Sequence, residues 1–222
     1  MKKFDLHIHT KYSRCSNLKL DRILKVAKKM KLDGISVSDH DQIIGAKKIY
    51  KINKDKDFEV IISEEVSSEY GHFLVLFVNE LIKYKTFEEL LDEVKKQDAL
   101  LIPAHPFDDI VKTSSDNRKG FDKNFLLENY KKFDAIETFN SRSVLPWSNN
   151  MAKNFARKFR LAEVGGSDAH FWFEIGRGYT LFNDDLRKAI KNKRTITSGT
   201  TLTSYFGHAL SRFRKTFINP KK

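Results

Sequence analysis

The chain has 222 residues, of which 40% are hydrophobic, 32% charged and 18 Phe, a balance that fits a globular chain and excludes an intrinsically disordered one. Its single cysteine excludes an intramolecular disulfide framework and suits a reducing compartment. Lys and Arg number 41 against 29 Asp and Glu, a net charge of +12, of which residues 193–222 carry +7 with no acid; this favours acidic partners, whether phosphate esters, nucleic acid or anionic lipid, and selects none of them.

Met1-Lys2-Lys3 opens like a signal peptide, but Asp5, His7 and His9 interrupt any apolar stretch, so none is expected and the cytoplasm is the expected location. Residues 3–9 read as a strand whose period of two puts Asp5, His7 and His9 on one face. A helix is predicted over 21–31 and a strand over 34–38, closed by Ser38-Asp39-His40-Asp41, then a helix over 45–53. Strands over 59–66 and 72–78 lie too close for a crossover helix and should form a hairpin, with Ser63-Glu64-Glu65 ending the first and Gly71-His72 opening the second. Residues 73–78 are the longest clear apolar run, far short of the roughly 20 that a membrane helix needs. The helix over 86–97 starts on Thr86, with Glu88 and Glu89 in its first turn. A strand over 99–104 runs into Pro103-Ala104-His105-Pro106, and the polar loop 108–120, with Arg118 and Lys119, is long enough to cover a site. A helix over 124–131 follows, then a strand over 133–139 ending in Glu137-Thr138-Phe139-Asn140. A helix over 148–158 and a strand over 161–165 lead to Gly166-Ser167-Asp168-Ala169-His170, with a short strand over 179–182 and a helix over 184–191 beyond. Residues 195–204 read as a loop or irregular strand. In 205–217, Phe206, Leu210, Phe213 and Phe217 share one helical face, which predicts a docked last helix; membrane-surface contact or a phosphate-backbone contact are the alternatives.

This alternation predicts an α/β domain with a mostly parallel sheet over 1–192, followed by the basic tail 193–222. Periodicity leaves both an open doubly wound sheet and a distorted β/α barrel in play, and no Gly-x-Gly-x-x-Gly or P-loop follows any strand. Six of the seven histidines, all but His208, sit at strand ends beside acid, Pro or Gly. Such ends gather on one face of α/β folds. Imidazoles brought together there are poor partners for one another, whereas a divalent metal uses them all as neutral ligands.

Asp5-Leu6-His7-Ile8-His9-Thr10, Ser38-Asp39-His40-Asp41, Glu65, His72, Ala104-His105-Pro106 and Gly166-Ser167-Asp168-Ala169-His170 resemble, in order and spacing, the PHP (polymerase and histidinol phosphatase) family. The stretch 137–182, with Asn140 and Gly176-Arg177-Gly178-Tyr179-Thr180, is similar to the family's associated C-terminal segment. The resemblance implies a distorted (β/α)7 barrel with two or three divalent metals (Zn, Mn or Fe) that hydrolyses phosphate esters. It implies that His7, His9, Glu65 and Asp168 hold the first metal, that Glu65 bridges to a second with His72 and His105, and that His40 and His170 hold a third. Glu65 rather than Glu64 takes the acid's position, with Ser63 where the family has Gly. Two departures stand out. Arg14-Cys15-Ser16 replaces a stretch that often carries an Asp or His for the third metal, so a Cys15 thiolate is a candidate ligand that would favour zinc. Asp108 stands where an Arg often follows the His-Pro motif.

On this reading a hydroxide bridging two metals attacks phosphorus, and His170 with the third metal, or Asp39, serves the leaving oxygen. Arg142 and Arg177 are the candidate phosphate clamps. The expected substrate is a small phosphomonoester, histidinol phosphate or nucleotide-like. The alternatives are exonuclease action on short nucleic acids, a non-catalytic nucleic-acid or metal-binding module, and, more remotely, metal-dependent amide hydrolysis. No Gly-x-Ser-x-Gly elbow is present, so a serine nucleophile is not expected.

Overall fold

The computed structural model describes residues 1–108, 120–145 and 147–217, apart from the side chains of 205 and 212–217. Arg118, Lys119 and most of the predicted covering loop lie outside the described residues. The elements run β1 (Lys2–Ile8), α1 (Leu20–Lys29), β2 (Gly34–His40), α2 (Ile44–Ile52), β3 (Glu59–Ser67), β4 (His72–Leu76), α3 (Phe87–Lys96), β5 (Leu100–Pro103) and α4 (Lys123–Asn129). They continue with β6 (Ala135–Asn140), α5 (Ser148–Phe159), β7 (Ala162–Gly166), β8 (Gly178–Phe182), α6 (Leu186–Lys191), β9 (Thr195–Gly199) and α7 (Ser204–Phe217). Three helices begin on a side chain that takes up an orphan N–H: Thr86 accepts from Glu89 N, Asp122 from Phe125 N and Asp185 from Lys188 N.

Two sheets carry the strands. The larger has the order β5-β4-β3-β2-β1-β8-β9, and β6 and β7 pair separately. The larger sheet is mixed, which corrects the mostly parallel expectation. β1/β2 and β2/β3 are parallel, while β3/β4, β4/β5, β1/β8 and β8/β9 are antiparallel. The predicted hairpin is the β3/β4 pair, whose connection is too short for a crossover. A few backbone bonds link the sheets: Asp134 N to Leu101 O at 3.0 Å on one side, His9 N to Ala169 O at 3.0 Å and Ala169 N to His7 O at 3.3 Å on the other. The fold is therefore α/β with a curled, half-barrel sheet, and the ladders of the described residues stop short of the closed (β/α)7 ring expected from the resemblance.

The inner side of this curl changes character along the strands. Phe4, Leu6, Ile61, Leu74, Leu76, Ile102, Ala135 and Val164 pack into one apolar cluster. Further along the same inner parity come Ser36, Ser38 and Ser63, all buried, and then His40, Glu65 and His72. The outer side of β2 and β3 packs with α1 and α2 through Ile23, Ala27, Ile35, Val37 and Ile49.

β1 departs from strict alternation. Its pairing with β2 runs Asp5 to Ile35 and then Ile8 to Val37, one residue more on β1 than on its partner. This bulge puts Asp5 on the outer side with Ile35, and corrects the expectation that Asp5 shares a face with His7 and His9.

β9 joins the large sheet beside β8, so the fold has no break at residue 193. Among the described side chains of α7, Ser204, Gly207 and Ser211 are buried, while Phe206 is 61% exposed. Small residues therefore turn to the body, and of the predicted aromatic face Leu210 is half-buried and Phe206 is not buried. The side chains of Phe213 and Phe217 lie outside the described residues.

Candidate metal centre

Glu65, buried at the end of β3, is the hub of the site. Its Oε1 lies 3.1 Å from His72 Nδ1 and 3.1 Å from His105 Nε2. Its Oε2 lies 3.2 Å from His9 Nε2, 3.2 Å from His40 Nδ1 and 3.4 Å from His7 Nε2. Antiparallel β4 brings its first residue, His72, to the level where β3 ends. Glu64 points the other way and accepts a hydrogen bond from Ile82 N at 3.0 Å; burial pushes its carboxyl up to about 7. The choice of Glu65 over Glu64 thus follows the pleat.

Asp168 approaches from the loop after β7, with Oδ1 3.2 Å from His9 Nε2, 3.7 Å from His7 Nε2 and 3.5 Å from His170 Nδ1. His105 and Asp168 both have positive φ, 31° and 55°, a conformation that costs non-glycine residues energy and recurs at functional sites.

The ligand atoms fall into three groups, each spanning at most 4.8 Å: His7, His9 and Asp168; His40, Glu65 and His72; and His9, Cys15, His40 and His170. The six strand-end histidines, Glu65, Asp168 and Cys15 are therefore together at one end of the sheet. A divalent cation fits them. His7 Nε2 and His9 Nε2 face each other at 3.2 Å, close to the roughly 3.3 Å expected between two nitrogens on one tetrahedral ion with bonds of about 2.0 Å. Glu65 Oε2 is buried and accepts no hydrogen bond although three imidazoles surround it. Burial pushes His9 and His40 down, toward the neutral form that ligates; His7, against the same burial, is raised to about 9 by Glu137 and Glu65. Glu65 also resists burial, held well below its usual range by the His40, His7 and His72 rings.

Four predicted residues have other immediate partners. Asp5 accepts from Ser167 N and Gly176 N, both at 2.8 Å, so it ties down the loop that carries Asp168 and His170. Asp39 accepts from Thr10 N and Thr10 Oγ1, both at 2.6 Å. Arg142 is buried and donates through Nη1 to Glu174 at 2.9 and 3.1 Å and through Nη2 to Ser211 Oγ at 3.1 Å. Its guanidinium is thus engaged inside the protein, which corrects its reading as a phosphate clamp. Arg177 is half-buried, with Nε donating to Phe173 O at 3.2 Å.

The sequence reading missed a layer of supporting groups. Glu137 Oε1 lies 3.0 Å from His7 Nδ1, and its Oε2 accepts from His105 N at 2.6 Å and Asn140 Nδ2 at 3.1 Å. Asn140 Nδ2 also reaches Asp168 Oδ2 at 3.2 Å, and Ser13 Oγ lies 3.4 Å from His9 Nδ1. Such partners fix the tautomer and orientation of ligating groups. The acid at the end of the sixth strand was the available signal for Glu137.

The family pattern of the PHP domain matches residues 5–159, and the PHP-associated pattern matches 146–195. The chain belongs to the PHP domain family. It is 34% identical over 163 residues to the uncharacterized protein MJ1587 of Methanocaldococcus jannaschii, covering 68% of this chain and 90% of that one. It is 32% identical over 186 residues to MJ0417 of the same organism, also uncharacterized, covering 82% and 71%. In fold it resembles a two-domain protein of Bacteroides vulgatus containing a predicted PHP-like metal-dependent phosphoesterase, with a TM-score of 0.72 and 20% identity over 93% of this chain and 69% of that one. No helix among the described residues is long and apolar enough to cross a membrane.

Proposed function

We infer that this chain is a divalent-metal-dependent phosphoesterase acting on a small phosphomonoester. The observation that carries the reading is the convergence of three ligand groups on Glu65 and its neighbours. In it, His7, His9, Asp168 and Glu65 would hold one ion, and Glu65, His72 and His105 a second. His40, His170 and Cys15 would hold a third, with the thiolate favouring zinc there over manganese or iron. Bound ions of this kind supply Lewis acidity to water and to phosphoryl oxygens.

The chain's own groups set the rest. Glu137 holds His7 with Nε2 toward the centre, and Ser13 does the same for His9. Asp39 acts through Thr10, fixing the turn after β1, and serves as a positioning residue in place of the expected proton donor. Arg177 is the remaining candidate for the phosphate dianion. A phosphomonoester such as histidinol phosphate or a nucleotide is the substrate class; the net charge of +12 keeps short nucleic acids as the second reading.

The experiment is hydrolysis of a matched phosphomonoester and phosphodiester by chelator-treated protein with Zn2+, Mn2+ or Fe2+ restored. Metal-dependent turnover of the monoester is the expected result. Turnover of the diester alone moves the reading to nuclease action, and turnover of neither with any of the three ions overturns the phosphoesterase reading.

A further inference from the structure

The Arg142–Glu174 pair is sealed inside the protein, and both of its ends lead to the candidate site. Glu174 is fully buried and Arg142 is 1% exposed. Glu174 Oε2 accepts the backbone N–H of His170 at 2.8 Å and of Phe171 at 2.9 Å, so one carboxylate oxygen sets the direction in which the His170 segment leaves Asp168. Arg142 Nη1 holds both oxygens of the same carboxylate. A buried carboxylate with two backbone donors and a guanidinium on it has little freedom to turn.

Helix α7 closes this arrangement from outside. Ser204 Oγ and His208 Nε2 reach Arg142 O at 3.1 and 2.8 Å, and Ser211 Oγ accepts from Arg142 Nη2 at 3.1 Å. Between them sits Gly207, where a Cβ would overlap Glu174 Oε1. Residues 204, 207, 208 and 211 form one helical stripe, which explains why small and polar residues, and not Phe206, turn inward. Arg142 has a second route to the site: its backbone N donates to Asn140 Oδ1 at 2.9 Å, and Asn140 Nδ2 touches Asp168 and Glu137.

We propose that Glu174 is a positioning residue for His170, and that α7, acting through Arg142 and the close approach at Gly207, holds Glu174 in place and so belongs to the site. The inference rests on the reading of His170 as a metal ligand. It assigns the C-terminal helix a task that its basic charge did not suggest.

The test uses the whole chain and two readouts. The first is amide hydrogen exchange in metal-free protein. Glu174→Gln and Gly207→Ala should speed exchange at His170 and Phe171 at least tenfold while the amides of β2, β3 and β4 keep their protection. The second is titration with Co2+ against a competing chelator. His170→Ala, Glu174→Gln and Gly207→Ala should weaken the same binding step, the two positioning variants by about 10- to 100-fold, and leave the other steps unchanged. Ser211→Ala removes one bond of Arg142 and should give a smaller effect of the same kind, which keeps the test available if Gly207→Ala does not fold. Unchanged exchange at His170 and Phe171 in Glu174→Gln overturns the proposal. So does unchanged Co2+ binding in that variant when His170→Ala loses a step. If His170→Ala leaves the titration untouched, the ligand reading of His170 fails, and the exchange measurement alone decides whether Glu174 positions the segment.

Discussion

Glu64 and Glu65 are neighbours in sequence and equally buried, each 1% exposed, yet they should behave oppositely when changed to Gln. Glu65→Gln keeps the shape and removes the negative charge among the imidazoles of His7, His9, His40, His72 and His105. Deleting one partner of a buried charged set costs about 3–5 kcal/mol. At about 1.4 kcal/mol per decade, affinity for the metals that Glu65 holds should fall by roughly two to nearly four decades. Glu64→Gln keeps an acceptor for Ile82 N and resembles the neutral acid that burial already favours there. Its cost should stay below about 1 kcal/mol, a Tm change of no more than about 4 °C for a chain of this size. The assay is metal content per chain after equilibration in chelator-buffered Zn2+ or Mn2+, with a thermal melt of each variant. Equal metal loss in the two variants, or loss in Glu64→Gln alone, would refute the assignment of the hub.

His9→Ala and Asp168→Ala should each lower phosphoesterase activity by at least about 100-fold and lose bound metal while keeping a cooperative melt, checked by turnover, metal analysis and circular dichroism. Cys15→Ser should abolish the near-ultraviolet thiolate-to-metal absorption of the Co2+ form and lower Zn2+ affinity with little change for Mn2+; an unchanged spectrum removes Cys15 from the ligand set. Arg177→Ala should raise KM for the phosphate ester about tenfold or more with a smaller change in kcat, as loss of a charged hydrogen bond of about 1.5–3 kcal/mol predicts. Gly45→Ala would drive a methyl group into Asp39 and Thr10, and should cost about 1–3 kcal/mol, a Tm decrease on the order of 5 °C by calorimetry.

The gathering of the candidate ligands at one end of the sheet was legible because its signal is local. Each of the six strand-end histidines stands at one end of an apolar run, and apolar runs mark strands whatever their partners. The order of strands was less legible, since pairing direction depends on connection length and on neighbours far along the chain. The short β3–β4 link betrayed one antiparallel pair. β8 and β9 did not betray theirs, because a six-residue helix, α6, lies between them and reads like a crossover. Arg142 shows a different failure. An arginine just beyond a strand end is as suitable for phosphate as for a buried carboxylate, and the deciding residue, Glu174, lies 32 positions away. Nothing in the spacing of either residue announces the pair. The small-residue stripe of α7 went unannounced for the same reason: a run of Phe at helical spacing is the stronger periodic signal, while Ser204, Gly207 and Ser211 matter through what they touch.

The bulge in β1 explains how one strand serves two purposes. Strict alternation would send Asp5, His7 and His9 to one side and Phe4, Leu6 and Ile8 to the other. The observed strand keeps Phe4 and Leu6 in the inner apolar cluster, places Ile8 in the outer one, and aims His7 and His9 at Glu65 and Asp168. That combination requires one residue out of register, and the extra residue lies between Asp5 and Ile8. The shift also frees Asp5 to face outward, where it accepts from Ser167 N and Gly176 N on either side of Asp168 and His170. With burial raising its carboxyl to about 6, against the hydrogen bonds that lower it, Asp5 lies fully inside the protein and answers to this loop, with no imidazole among its hydrogen-bond partners. A single irregularity thus aligns two histidines from β1 with an aspartate that arrives some 160 residues later, and couples the conformation of that distant loop to the strand that carries them.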